Sequence, residues 1–413
     1  MDSYTIILIV SVIAGFLMAV SLGANDVSNA MASSVAAKAV TIKQAIFIAA
    51  ALNFIGAVFL GSAVAGTIAK GIVSPEVFPD SFLFMLGMLA ALLSAGLWVL
   101  LASFTAFPVS STHSIVGSLI GFGIVAGHAA DIHWGTLGII LIAWLLAPII
   151  GGTISFIVFT TIRSFILFQK RILYHALFWA PFWIGMTADI ILLSLIYRTP
   201  FGKDLDVPWY ISLAMAIAII CLCIGAGLII RRRFASSHPH KQAEKVEKIF
   251  GKMQISTACF MALSQGSNDV ANAIGPVAAI IMMIGKIQGT DTDAQIPLWL
   301  LIMGGVGIAI GIALLGKNVM TTLGEKITKL NHTRGFSVEF SASTTVLLAS
   351  NLGLPVSTTH ASVGAITGVG IARGIGAIDI RVIAKIFLYW LITIPVSATT
   401  CALIYWILQM IFR

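Results

Sequence analysis

The sequence predicts an all-α polytopic membrane protein of about twelve transmembrane segments, built as two inverted-topology repeats with broken or re-entrant helices. Three observations predict it. The 413-residue chain is 59% hydrophobic and only 10% charged, with a mean hydropathy of +1.03, whereas soluble domains carry about 25% charged residues. Its apolar runs reach about 20 residues, the length that crosses a bilayer core, and they are continuous rather than alternating, which excludes a transmembrane barrel. Two polar motifs interrupt these runs, and each is written twice.

The first half holds apolar segments at 4–36, 44–68, 82–104, 109–127, 135–161, 173–197 and 207–230. The second holds segments at 253–285, 297–316, 336–352, 355–372 and 382–411. Segment 4–36 follows Met1-Asp2-Ser3-Tyr4, which has no basic residue, so it reads as a retained span and not a cleaved signal. With the N-terminus outside, eighteen Lys and Arg fall on the side of the central loop. Five fall on the other: Lys70, Arg198, Lys203, Lys286 and Arg413. The positive-inside rule selects that orientation, with both termini outside and the basic loop 231–252 cytoplasmic.

Seven spans precede that loop, so the second copy of each motif enters the membrane from the side opposite to the first. The division is a first repeat at 1–161, two linking helices within 162–230, the loop 231–252, and an inverted repeat at 253–413. Inverted repeats with polar interruptions at matching positions are the signature of a secondary transporter with its site near the midplane. The net charge of +8 does not point to nucleic acid, because the basic residues sit between apolar runs. Cys221, Cys223, Cys259 and Cys401 lie inside those runs and suggest neither a disulfide framework nor a metal cluster.

The first motif is Gly23-Ala24-Asn25-Asp26-Val27-Ser28-Asn29, repeated as Gly266-Ser267-Asn268-Asp269-Val270-Ala271-Asn272. A carboxylate at the centre of a spanning helix costs about 2.5–3.5 kcal/mol on insertion scales. Two at matching positions, with no Lys or Arg nearby in sequence, ask for a cation, and a transported Na⁺ or H⁺ supplies one. Asn25, Asn29, Asn268 and Asn272 add amide oxygens suited to a hard cation. The alternative is that these amides glue helices together. The small flanking residues permit close helix approach, and also local unwinding that would free carbonyls.

The second motif is Pro108-Val109-Ser110-Ser111-Thr112-His113, repeated as Pro355-Val356-Ser357-Thr358-Thr359-His360. Each proline suits the first turn of a helix. A helix starting there presents free N–H groups, a positive dipole end and three hydroxyls together, which makes an anion site. Two such sites facing each other would clamp a tetrahedral oxyanion with neutral donors, and cations at the aspartates would balance its charge. Ser/Thr capping and packing is the competing reading. His113, His360, Glu339 and Asn53 are candidates for coupling or gating, weighed against plain structural roles. The carboxylates of the turn 286–297, Asp291 and Asp293, read as solvated. No metal cluster or activated nucleophile suggests an enzyme.

These four motif copies, in this order and spread over both repeats, resemble the inorganic phosphate transporter family of cation-coupled symporters. The resemblance implies a twelve-helix inverted-repeat transporter of the plasma (inner) membrane, a homodimer, carrying inorganic phosphate with Na⁺ or H⁺. It implies phosphate ligands at Ser110, Ser111, Thr112, Ser357, Thr358 and Thr359. It implies cation ligands at Asn25, Asp26, Asn29, Asn268, Asp269 and Asn272, with Na⁺ at Asp26 and Asp269 if the coupling ion is sodium. Glu339 matches the acidic position of the second repeat. Asn53 stands where sodium-coupled animal members tend to have Glu, which leaves Na⁺ and H⁺ both open. A sulfate or other oxyanion permease of the same architecture is the alternative. An anion channel would have no need of paired aspartates.

Overall fold

Within lipid a backbone must satisfy its own N–H and C=O groups, and a helix does this inside a single segment. In the computed structural model the apolar runs accordingly fold as helices. The structure describes residues 3–73, 78, 80–105, 109–198, 202, 205–234, 239–288, 296–326 and 330–412. Thirteen α-helices are found among them: α1 (Ser3–Ala36), α2 (Ile42–Leu60), α3 (Ser62–Lys70), α4 (Ser81–Phe104), α5 (Ser111–Val125), α6 (Trp134–Ile162), α7 (Ile172–Arg198), α8 (Trp209–Phe234), α9 (Pro239–Ile287), α10 (Leu298–Lys326), α11 (His332–Asn351), α12 (Thr358–Arg373) and α13 (Ile380–Phe412). Among the described residues nine helices are long and apolar enough to span a membrane. Helices α5 and α12 have 15 and 16 residues. At about 1.5 Å per residue they fall short of a hydrocarbon core about 30 Å thick.

The local unwinding that the small residues of the Asn-Asp motifs permit does not occur. Both α1 and α9 run through them as continuous helix. The small residues there serve helix crossing instead of unwinding. A Cβ at Gly23 would run into the backbone of Ile308 in α10, and one at Gly311 into that of Val20 in α1. The other half repeats the arrangement, with Gly266 against Asn53 in α2 and Gly56 against Leu263 in α9. The break comes instead in the second segment, where Gly61 separates α2 from α3.

The stretch 231–252 also differs from the loop expected of it. Helix α8 continues to Phe234, and α9 begins at Pro239. Val246 and Phe250 of that early α9 turn inward and join a buried cluster with Ile162, Ile166, Leu173 and Phe336. Burial of these apolar side chains holds the segment helical. Ser236, Ser237, His238, Pro108, Asp291 and Asp293 lie outside the described residues.

The two halves interlock. Helix α1 packs on α10 and α9 on α2, while α5 packs on α13 and α12 on α6. Each short hydroxyl-bearing helix therefore lies against a long helix of the opposite half. The linking helices α7 and α8 pack on each other at the side of this assembly.

Candidate functional site

Helices α5 and α12 begin where they do because a serine caps each one. Ser110 is extended (φ −88°, ψ 110°), and its Oγ accepts from the His113 N–H at 3.2 Å. Ser357 (φ −81°, ψ 114°) does the same for the His360 N–H at 3.3 Å. Pro355 therefore precedes the cap by two residues and does not sit in the first turn. The cap outcompetes it because a side-chain oxygen that satisfies an orphan N–H is worth about 1 kcal/mol at a helix start.

The next hydroxyl of each motif turns to the aspartate of its own half. Ser111 Oγ donates to Asp26 Oδ2 at 2.7 Å, and Thr358 Oγ1 donates to Asp269 Oδ2 at 3.4 Å. The third hydroxyl crosses to the opposite motif, Thr112 to the Val356 carbonyl at 3.1 Å and Thr359 to the Val109 carbonyl at 3.4 Å. The second asparagine of each motif also crosses. Asn29 Nδ2 donates to Thr358 Oγ1 at 3.2 Å and Thr359 Oγ1 at 3.0 Å, and Asn272 Nδ2 donates to Thr112 Oγ1 at 3.3 Å. The two helix starts thus meet at one point, each bracketed by an aspartate of its own half and an asparagine of the other.

Asp26 and Asp269 are each 1% exposed. Among the described residues no Lys or Arg pairs with either. Three buried oxygens at this meeting point have no donor: Asp26 Oδ1, Asn29 Oδ1 and Asn272 Oδ1. Buried oxygens left in this way cost free energy unless water, an ion or another group satisfies them. The first asparagines are engaged differently. Asn268 Nδ2 donates to the Val356 carbonyl at 2.6 Å and to Asp269 Oδ1 at 3.1 Å. Its Oδ1 accepts from Val356 N–H at 3.3 Å and from Ser350 at 3.4 Å. Asn25 Nδ2 donates to Ser103 Oγ at 3.4 Å. Asn268 clamps the approach to α12, and Asn25 ties α1 to α4.

The remaining candidates sit around this centre. Glu339 of α11 is fully buried and accepts from Ser33 and, at 2.6 Å, Ser34 of α1, and from Thr257 of α9 at 3.2 Å. It lies beyond the Asn29 turn of α1, among hydroxyls. Asn53 of α2 donates to the Ala49 carbonyl at 2.9 Å, and its Oδ1 has no partner. The two histidines form a crossed pair, with ring centroids 4.5 Å apart. His113 Nδ1–H donates to the Trp390 carbonyl of α13 at 3.3 Å, while its ring lies 3.9 Å from the Trp144 ring. His360 Nδ1–H donates to the Trp144 carbonyl of α6 at 3.1 Å, with its ring 3.6 Å from that of Trp390. Both histidines are among the residues that line a mostly apolar cavity of about 910 Å³ between α6, α12 and α13.

Sequence reasoning passed over Ser33, Ser34, Thr257, Trp144 and Trp390. The tryptophans carried a signal, since each stands a few residues before a proline in the last segment of its repeat, Pro148 and Pro395. The adjacent serines of α1 follow the motif by one turn but look like ordinary helix-packing residues.

Comparison with known proteins agrees with this geometry. The family model of the phosphate transporter family matches residues 22–401. A protein of Thermococcus kodakarensis named "Putative phosphate permease TK2061" is 42% identical over 406 residues, covering 98% of both chains. A similarly named Chlamydia trachomatis protein is 39% identical over 426 residues, covering 98% of this chain and 99% of its own. A solved structure titled "The sodium-dependent phosphate transporter" superposes with a TM-score of 0.89 at 42% identity, covering 98% of this chain and all of the other. With a match from the first Asn-Asp motif into the last helix, this integral membrane chain is a transporter rather than an enzyme, and it belongs to the phosphate transporter family.

Proposed function

We propose that this chain imports inorganic phosphate by symport with Na⁺, through alternating access around the point where the two motif pairs meet. The observation that carries the reading is the set of three donorless buried oxygens, Asp26 Oδ1, Asn29 Oδ1 and Asn272 Oδ1, beside two helix starts rich in hydroxyl donors. An anion brought next to two carboxylates in a low-dielectric site is strongly disfavoured unless cations accompany it. Hard oxygen donors of this kind suit Na⁺, and a family relative of known structure is titled sodium-dependent.

The hydrogen bonds supply a coupling mechanism. Ser111 and Thr358 donate hydrogen bonds to Asp26 and Asp269. A cation on either carboxylate competes for the same oxygen lone pairs. The released O–H groups then turn toward the anion, at the positive ends of α5 and α12. Cation binding prepares the anion site, and the anion in turn stabilises the cations. Orientation follows the positive-inside bias, with both termini outside and 231–252 cytoplasmic, and the first and second repeats span 1–161 and 253–413 around the linking helices. The resemblance implies a homodimer.

The test is uptake of labelled phosphate into proteoliposomes under an imposed inward Na⁺ gradient, and separately under an H⁺ gradient. Sodium-driven accumulation is expected. Accumulation under the proton gradient alone would reassign the ion. Loss of phosphate uptake to equimolar sulfate would reassign the anion, and flux that never exceeds equilibration would mean a channel.

A further inference from the structure

One buried acid takes no part in the arrangement at the Asn-Asp motifs. Asp189 belongs to the linking helix α7, within the apolar stretch Ile172–Tyr197 that is long enough to span a membrane. It is 5% exposed. It stands eight residues before Tyr197, about 12 Å inward along the helix axis. Both its carboxylate oxygens are buried and have no hydrogen-bond partner. Among the described residues no other buried carboxylate is bare on both oxygens. Asp26 accepts from Ser111, Asp269 from Asn268 and Thr358, and Glu339 from three hydroxyls.

The packing around Asp189 offers it nothing in exchange for water. A Cβ at Gly227 of α8 would meet Pro181 of α7, and one at Gly185 of α7 would lie 3.1 Å from Ile220 Cα and 3.6 Å from Cys223 Cβ of α8. Nearer the other end of the pair, Tyr197 Oη donates to Ser212 Oγ at 2.7 Å. These contacts set an antiparallel register. It brings Asp189, one turn beyond Gly185, level with residues 216–220 of α8, which are all alanine or isoleucine. On the side of α7 away from this seam, Ile190 and Ile191 pack against Leu60, Phe260 and Leu347. Helices α8, α9 and α11 and the turn 163–167 all pack on α7. The titratable group they place beside this part of the seam is the Cys223 thiol, and among the described residues no charged side chain offsets the burial of Asp189.

An ionised carboxylate in such a place would be a charge in an apolar medium with neither ion pair nor hydrogen bond, and a group so placed neutralises instead. A hard cation takes several oxygen ligands at once, whereas the seam supplies only the two oxygens of Asp189. A proton needs one. We propose that Asp189 is a proton-binding site, occupied in the membrane and separate from the transport centre. Its proton keeps the seam between α7 and α8 neutral and closed. Five residues on, Ser194 accepts from Asn351 Nδ2 at 2.8 Å. Asn351 ends α11, four residues before Pro355 of the second hydroxyl motif. Loss of the proton therefore loosens α7 where it braces the approach to that motif. The site stands whether or not the Asn-Asp centre carries phosphate or Na⁺.

The experiment uses the purified full chain and the variant Asp189→Asn, an uncharged mimic of the protonated acid. Dicyclohexylcarbodiimide adds to protonated carboxyls in apolar surroundings, and peptide mass spectrometry maps the adducts. An Asp189 adduct is expected in the wild type. Its yield should fall about tenfold for each pH unit above the point of ionisation, and Na⁺ should leave it unchanged. Infrared difference spectra between mildly acidic and alkaline buffer should show a protonated-carboxyl band in the wild type that Asp189→Asn lacks. The folded protein holds a proton here that the unfolded chain releases at lower pH, so this group's contribution to stability is lost as pH rises. Thermal unfolding in detergent should therefore show an alkaline loss of stability in the wild type that is smaller in Asp189→Asn, while phosphate uptake persists in the variant. Absence of both adduct and band overturns the site. Protection of Asp189 by Na⁺ overturns the proton in favour of a metal cation, and loss of uptake in the variant overturns its separation from transport. If Asp189→Asn elutes aggregated, the wild-type adduct decides: its presence with the stated pH dependence supports the site, and its absence at every pH overturns it.

Discussion

Replacing Ser111 with Ala separates the coupling mechanism from a simpler one in which every oxygen near Asp26 is merely a ligand. Ser111 Oγ donates a hydrogen bond to Asp26 Oδ2 over 2.7 Å. A hydrogen bond to a charged acceptor contributes about 1.5–3 kcal/mol. Since about 1.4 kcal/mol is a factor of ten, its removal should tighten Na⁺ binding in the absence of phosphate by about ten- to a hundredfold, because the cation no longer displaces a donor. The same variant loses a donor to the anion, so phosphate binding at saturating Na⁺ should weaken. The factor by which each ligand improves the other should shrink, and by the same amount measured from either side. Titration calorimetry on the purified protein reads all of these affinities. The Thr358–Asp269 bond, at 3.4 Å, lies at the limit of a useful hydrogen bond. Thr358→Ala should therefore change Na⁺ affinity by less than about threefold. Weaker Na⁺ binding in Ser111→Ala would refute the reasoning, since it would make Ser111 Oγ a cation ligand and not a competitor.

Other outcomes follow from the same contacts. Asp26→Asn and Asp269→Asn should each abolish gradient-driven uptake in proteoliposomes while leaving membrane insertion intact, and retained uptake in both would remove the aspartates from the mechanism. Gly23→Ala and Gly266→Ala place a methyl group against the backbones of Ile308 and Asn53; overpacking of this kind costs about 1–3 kcal/mol, so the thermal unfolding temperature in detergent should drop for both. Gly66→Ala, with open space around its position, serves as the control that should not drop. Glu339→Ala leaves the hydroxyls of Ser33, Ser34 and Thr257 without their acceptor, at about 1–3 kcal/mol. Its thermal stability should fall, and Glu339→Gln, which keeps an acceptor oxygen, should recover most of that loss.

The membrane class and the duplicated motifs were legible because their signals are local. Each span had to be apolar along its own length, and a charged residue inside one stands out against its neighbours. The shortness of α5 and α12 was legible as well, since their glycine-rich segments 109–127 and 355–372 read as broken or re-entrant and the helices there have 15 and 16 residues. Whether α1 and α9 run unbroken through Asn25-Asp26 and Asn268-Asp269 stayed open in the sequence. Small residues suit both unwinding and close crossing, and the choice between them depends on Ile308 and Asn53, residues of other helices. Capping by the Ser/Thr hydroxyls was the competing reading of the second motif, and at Ser110 and Ser357 the structure takes it, a hydroxyl three residues before His113 or His360 being a recognisable capping position.

By itself the sequence determined that the chain lives in a bilayer, that it is written twice in opposite directions, and which dozen polar residues the lipid could not tolerate without a purpose. These follow from the cost of placing polar groups in hydrocarbon, which each segment meets alone. Only the tertiary structure decided how those residues are shared out. It gave Ser110 and Ser357 to capping, Ser111 and Thr358 to the aspartates, and Asn29 and Asn272 to the opposite half. It also surrounded Glu339 with hydroxyls from α1 and α9. The physical reason is separation along the chain. Asn29 meets Thr359 across 330 positions, and Glu339 meets Ser33 across 306. No local pattern records such a pairing; it arises when α1, α9, α11 and α12 pack on one another.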